Sequence, residues 1–370
     1  MATRAFARVT CAIPKTVRLH TLDGRTSRTG LRSVVGVSEK PGLRPVAAAW
    51  TLVLLAPYVG ECLLGNLPVT AAYGLLFLAP LYGCGALLIR ELTRRVGGGW
   101  PTIILLGAAY ALVEEALVDQ MVFTPRYLDL HSFAGYAPLP WLGGASGTLI
   151  VASLTMHTIW SICVPIALAE ALSSEPRQPW LRRRGLTLTV VIFGLACLFL
   201  GDDQAQKLDF HASTRQYAVA VTAVLLLIVA ALAASRRRRR GDTSRAAPSP
   251  RTVGITAFSV TSAYWILWMS VPGTDSWAAQ WLPILAWCAA VPLAAARLLT
   301  WSYRAGWSDR HRLSAACGAL LTYVWVCPIQ SVSAGVPVLI ALAGWFVYGG
   351  VALWLAQTTL RPHKNAPSAP

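Results

Sequence analysis

Apolar residues gather in runs of 16 to 27 positions, divided by short stretches rich in charge, proline and glycine. About 20 consecutive apolar residues in a helix cross the hydrocarbon core of a bilayer. Cutting at the polar breaks predicts ten such helices, at 46–65, 69–90, 101–121, 146–172, 186–201, 216–235, 252–271, 279–299, 312–329 and 335–356. The fifth is the shortest and is expected to tilt little. The chain therefore reads as an all-α, polytopic transmembrane helix bundle of about ten spans.

The distribution of basic residues tests that count independently. With the N-terminus in the cytoplasm and ten crossings, 29 of the 32 Lys and Arg fall in cytoplasmic segments, and only Arg126, Lys207 and Arg215 fall outside. Cytoplasmic loops carry such an excess, and one span more or fewer would scramble it. Both termini are thus expected in the cytoplasm. Composition agrees, with only 13% charged residues against about 25% in soluble domains.

The net charge of +16 would suggest nucleic acid in a soluble protein. Here topology accounts for it, and no nucleic-acid partner is expected. The run "SRRRRRGDTSRAAPSPR" at 235–251 lacks interleaved aromatic residues. Its Arg236–Arg240 cluster suits anionic lipid headgroups. Arginine outnumbers lysine 28 to 4, which points to a GC-rich genome and a bacterial plasma membrane. The expected organisation is a basic tail at 1–45, a front bundle at 46–235, a basic linker at 236–251, a back bundle at 252–356 and a tail at 357–370. Residues 1–44 hold nine basic and two acidic residues, with no apolar stretch of signal-peptide length.

Seven of the eight cysteines lie in apolar runs without C-x-x-C spacing, as small buried hydrophobes do. Trp100, Trp141, Trp180, Trp277, Trp301 and Trp307 fall near predicted span ends, where interfacial anchors belong. Trp160 is different, lying mid-span in the fourth helix.

Candidate chemistry concentrates in the third and fourth spans. "YALVEEALVDQMVF" places Glu114, Glu115 and Asp119 in an apolar helix. A charged residue facing lipid at a helix centre costs about 2.5–3.5 kcal/mol, so these acids are expected to face protein and a wet cavity. Glu115 lies about 9 Å inside the predicted outer end at 1.5 Å per residue. Four residues apart, Glu115 and Asp119 share a face of an α-helix, with Glu114 turned about 100° away. Gly107, Ala108 and Ala111 let a neighbouring helix approach. In the fourth span, Ser153, His157 and Ser161 form one polar stripe at four-residue spacing. Glu61, near the outer end of the first span, is a further candidate. His131, His211, Asp202, Asp203 and Asp209 are expected in outside loops, and Glu170 at the cytoplasmic interface. Two carboxylates crowded in low dielectric resist simultaneous ionisation, so such a pair can hold and release a proton or act as general base on water. With His157 they could instead bind a divalent cation such as zinc.

"EEALVDQ" followed by His157 resembles the CAAX protease and bacteriocin-processing intramembrane proteases over residues 90–161. That family pairs E-E-x-x-x-R with F-x-x-x-H. Glu114 and Glu115 stand at its acid pair and His157 at its histidine, while Asp119 and Ser153 stand at its Arg and Phe positions. The resemblance implies a glutamate-dependent, metal-linked hydrolase, with Glu114 or Glu115 activating water and Glu115 and His157 as metal ligands. Two other readings stay open on the residues alone. One is a proton- or cation-coupled permease using the same carboxylates, and the other a non-catalytic membrane subunit in which they are structural.

Overall fold

The computed structural model describes residues 42–124, 137–236, 242–270 and 276–360. His131 and Arg237–Arg240 lie outside the described residues. Ten helices are long and apolar enough to cross a membrane. They are α1 (Pro45–Cys62), α2 (Gly74–Arg95), α3 (Trp100–Val118), α4 (Gly147–Leu172), α5 (Arg183–Leu208), α6 (Thr214–Arg236), α7 (Pro250–Met269), α8 (Trp277–Ser302), α9 (Asp309–Ser333) and α10 (Val338–Leu360). The protein is a polytopic membrane protein. Two small ladders accompany the helices. β1 (Pro138–Leu139) pairs antiparallel with β2 (Ala145–Ser146), and β3 (Asp242–Ala246) pairs in parallel with β4 (Arg304–Ala305).

Local chemistry sets several helix starts. Pro45 and Pro101 occupy first-turn positions, where a missing N–H costs nothing. Ser146 caps α4 by accepting from the Leu149 amide at 3.1 Å. Ser308 and His311 form a reciprocal cap on α9. The second nitrogen of His311 lies 2.9 Å from the Pro248 carbonyl, tying the end of the basic linker to α9.

Two helices differ from expectation. α5 runs to Leu208, so Asp202 and Asp203 are helical rather than in a loop. Pairs at four-residue spacing carry it past its apolar run, Lys207 to Asp203 at 2.6 Å and Gln206 to Asp202 at 2.7 Å. α2 begins at Gly74 because a 3₁₀ turn at Val69–Ala71 follows Pro68. It continues to Arg95 because its last charged residues find partners in protein.

Burial divides the helices into two sets. Between 56% and 67% of each apolar window of α1, α2, α3, α4 and α9 is buried, against 11% to 33% for the other five. The inner helices approach closely at small residues. Gly83 of α2 lies against the Val53 carbonyl of α1, and Gly318 of α9 against the Gly254 carbonyl of α7, with no room for a Cβ at either. The largest core cluster draws on both sides of the basic linker. Trp160 of α4 stacks on Tyr323 of α9 at 4.4 Å and 8°, and its indole N–H donates to the Ala319 carbonyl at 2.8 Å.

Three of the inner helices contain a π-helical turn, at Tyr58–Cys62, Val113–Val118 and His157–Cys163. In each, an amide reaches back five residues rather than four. Leu63 donates to Tyr58 at 2.8 Å, Asp119 to Glu114 at 2.7 Å, and Val164 to Ile159. In α4 the cause is Pro165, which lacks an N–H and crowds the carbonyl four residues earlier. Such turns are rare and gather at functional sites. Here all three lie in one region of the bundle, and each carries a polar residue into it.

Candidate functional site: a histidine between two glutamates

His157 stands at the start of the π-turn in α4, facing the π-turn of α3. Its Nε2 lies 2.7 Å from Glu115 Oε1, and its Nδ1 lies 2.8 Å from Glu114 Oε2. The Glu115 contact is a hydrogen bond. Glu114 Oε2 falls off the N–H direction, where Ser161 Oγ takes the bonding position at 3.1 Å. Exposure is 1% for Glu114 and 5% each for Glu115 and His157.

An unbroken α-helix would turn Glu114 about 100° from Glu115. The wider π-turn reduces that angle, and both carboxylates reach one imidazole. Asp119, expected on the Glu115 face, is instead the residue that closes the turn and stands half-buried. The acids were expected to face protein and a wet cavity; both are almost fully buried in protein. The rings of Tyr82 and Tyr110 flank His157 at centroid distances of 6.0 and 6.4 Å.

The cluster extends to one end of the bundle. Tyr82 donates its hydroxyl to Glu61 Oε1 at 2.6 Å. Asn66 donates to Glu61 Oε2 at 3.0 Å, and Gln330 of α9 donates to Asn66 at 3.1 Å. Gly60 makes this possible, since a Cβ there would lie 2.9 Å from the Tyr82 ring and 3.1 Å from Ser161 Oγ. Of the sequence candidates, Glu61, Glu114, Glu115, His157 and Ser161 belong to one connected group. Ser153 is buried, but its hydroxyl has no partner. His211 is exposed on the connection before α6.

Tyr82 and Tyr110 were not expected from the sequence. Tyrosine in an apolar helix gives no signal of its own, although its hydroxyl needs a partner once buried. A second buried network was also missed, at the opposite ends of α2 and α4. Arg90 and Glu91 are wholly buried and paired at 2.7 Å, and Glu170 receives Arg90 at 3.2 Å and Arg94 at 2.6 Å. The Glu91 carboxylate also accepts the Trp180 and Leu181 amides at 2.7 and 3.1 Å, and Arg90 lies 3.5 Å over the Trp180 ring. This network clamps the α4–α5 connection to α2. Glu170, expected at the cytoplasmic interface, is thus an acid paired with two arginines at the end of α4.

A divalent metal does not fit this donor set as arranged. Each imidazole nitrogen is met directly by protein oxygen, so the one lone pair of the neutral ring is not free to meet both carboxylates at a common metal. Among the described residues, no three His, Cys, Asp or Glu side chains are grouped to hold a metal ion. The same contacts suit a proton well. It can sit on either ring nitrogen or on a carboxylate oxygen 2.7 Å away, and Tyr82 bridges towards a second carboxylate.

Fold and site together define a multi-pass helical membrane protein with a buried carboxylate–imidazole centre. The chain belongs to an uncharacterized membrane protein family, whose model matches residues 51–362. No curated protein and no solved structure matches the chain.

Proposed function

We propose that the protein is a proton-exchanging membrane permease in which Glu114, His157 and Glu115 hold the exchanged proton. One observation carries this reading: His157 is buried between two glutamates at 2.8 and 2.7 Å. A side route through Tyr82 leads to Glu61 at the end of the bundle. Ionisable residues within a membrane mark ion pathways and proton relays, and contacts near 2.7 Å are short enough for direct transfer. The 29-to-3 partition of basic residues supports cytoplasmic termini, and the arginine bias supports a bacterial plasma membrane. The test is charge movement in reconstituted vesicles on a solid-supported membrane, across a panel of small solutes and at imposed pH gradients. Wild type should give proton-linked currents, Glu115→Gln should abolish them, and Lys207→Ala should keep them. Identical traces from wild type and Glu115→Gln would sink the reading.

The intramembrane hydrolase reading is favoured by the contact of both Glu114 and Glu115 with His157. It requires His157 to turn one nitrogen away from its glutamate towards a metal or water. Cleavage of a membrane-embedded reporter peptide by wild type, lost with both Glu115→Gln and His157→Ala, would establish it over the permease.

A further inference from the structure

A long apolar groove of about 2270 Å³ runs beside the buried centre. One wall is α3 and α6, with Ile104, Ala108 and Ala223, and the facing wall is α8, with Trp287, Val291 and Ala294. Ile159, Cys163 and Ala167 of α4 form its floor. Along α3 its lining runs from Trp100 to Ala116, about 24 Å of helix at 1.5 Å per residue. That approaches the roughly 30 Å of a bilayer's hydrocarbon core.

The two ends of the groove differ. Phe123, Leu139, Trp141 and Leu142 line one end. The other holds Arg94, Arg177, Arg297, Arg310 and Arg312 against only two acids, Glu170 and Asp309. Both acids are already engaged. Glu170 binds Arg90 and Arg94, and Asp309 pairs tightly with Arg312 and at 3.4 Å with Arg177. Arg297 and Arg310 are exposed and have no carboxylate partner among the described residues. The Arg297 guanidinium lies 5.6 Å from the Trp301 ring centre, which fixes one of these cations at the mouth.

We propose that this groove binds a glycerophospholipid with a net negative headgroup, its acyl chains between α3, α6 and α8 and its phosphate at Arg297 and Arg310. Apolar walls select a hydrocarbon occupant but no particular headgroup. The surplus of cations at one mouth supplies that choice, because arginine presents a donor fork that fits phosphate oxygens. The proposal stands whether or not the buried centre exchanges protons.

The experiment is native mass spectrometry of the full-length protein, released from detergent with equimolar phosphatidylglycerol and phosphatidylcholine of identical chains. Wild type should retain phosphatidylglycerol preferentially. The double variant Arg297→Gln/Arg310→Gln should lower that retention about thirtyfold and leave phosphatidylcholine unchanged. Ala223→Trp, which obstructs the groove between α6 and α8, should lower retention of both lipids. Arg182→Gln/Arg183→Gln, outside the groove lining, should change neither. Equal retention of the two lipids by wild type would overturn the proposal. So would equal losses from the two arginine pairs, which would mean general surface attraction. Displacement of phosphatidylglycerol by a polyprenyl phosphate at equimolar concentration would overturn the glycerophospholipid assignment. Circular dichroism melting of each variant separates lost binding from lost folding.

Discussion

Tyr82 donates its hydroxyl to Glu61 across 2.6 Å while its ring lies 6.0 Å from that of His157. A single side chain on α2 thus joins the acid of α1 to the histidine of α4. The approach of those helices depends on Gly60, which leads to the first prediction. Gly60→Val should destabilise the protein by about 1–3 kcal/mol, the range for overpacking a close contact. Gly350→Ala, where an added Cβ would meet no atom within 4 Å, should keep or slightly raise the melting temperature in detergent, as alanine favours a helix interior over glycine. Equal melting temperatures for wild type and Gly60→Val would contradict the tight packing.

The two serines of the α4 stripe should behave differently. Ser161 bonds His157 at 3.1 Å, whereas the buried Ser153 hydroxyl has no partner. Ser153→Ala should be neutral or slightly stabilising, and Ser161→Ala should cost about 1 kcal/mol, the net value of a hydrogen bond. Equilibrium unfolding in mixed micelles would separate the two, and a reversed order would refute the assignment.

The buried arginine network should be the most sensitive polar feature of the fold. Glu91→Ala leaves Arg90 buried without its 2.7 Å partner, and breaking such a pair costs about 3–5 kcal/mol. Lys207→Ala removes an exposed pair and should cost less than about 1 kcal/mol. Expression yield and thermal melting should rank the two variants in that order. If Glu91→Ala proved as mild as Lys207→Ala, the clamp on the α4–α5 connection would be unimportant for stability.

Trp160 joins the halves that flank the basic linker. Trp160→Phe keeps a ring over Tyr323 but removes the indole hydrogen bond to the Ala319 carbonyl, which keeps its helical donor. The expected loss is about 0.5–1.5 kcal/mol, the net value of one hydrogen bond, seen as a lower midpoint of a single unfolding transition. Separate transitions for the two halves would show that they fold independently.

Orientation follows from charge. Reporter fusions after residues 138 and 245 should read outside and inside respectively. The same reading from both would reject the proposed topology.

The helices were legible because apolar length is a one-dimensional property, and all ten expected spans correspond to helices of the structure. The acids, His157 and Ser161 were legible because intramembrane polar residues are few. Their joint geometry was not. It depends on π-turns, and the α-helical spacing used to read the sequence set Glu114 apart from Glu115. Tyr82 and Tyr110 escaped notice because tyrosine counts as apolar in a hydropathy pattern until its hydroxyl is given a neighbour. Arg90 and Glu91 escaped because a charged pair at a span end reads as the membrane boundary. Only the packing of the α4–α5 connection over them shows that they are interior.

The π-turn in α3 has a genetic consequence. A π-turn holds one residue more than the α-helix it interrupts, so this site could be lost by deletion without altering any of its side chains. Removing Leu117 would let α3 close as an ordinary helix, about 1.5 Å shorter and still able to cross the bilayer. The flanks would keep their phase, but without the wide turn Glu114 would stand about 100° from Glu115, and the two glutamates could no longer both meet His157. Such a deletant should reach the membrane and melt near wild type while losing any proton-linked signal. If it kept that signal, the extra residue would have no part in holding the site. Within this family, a missing codon at the turn would then mark a silent member as surely as a substituted acid.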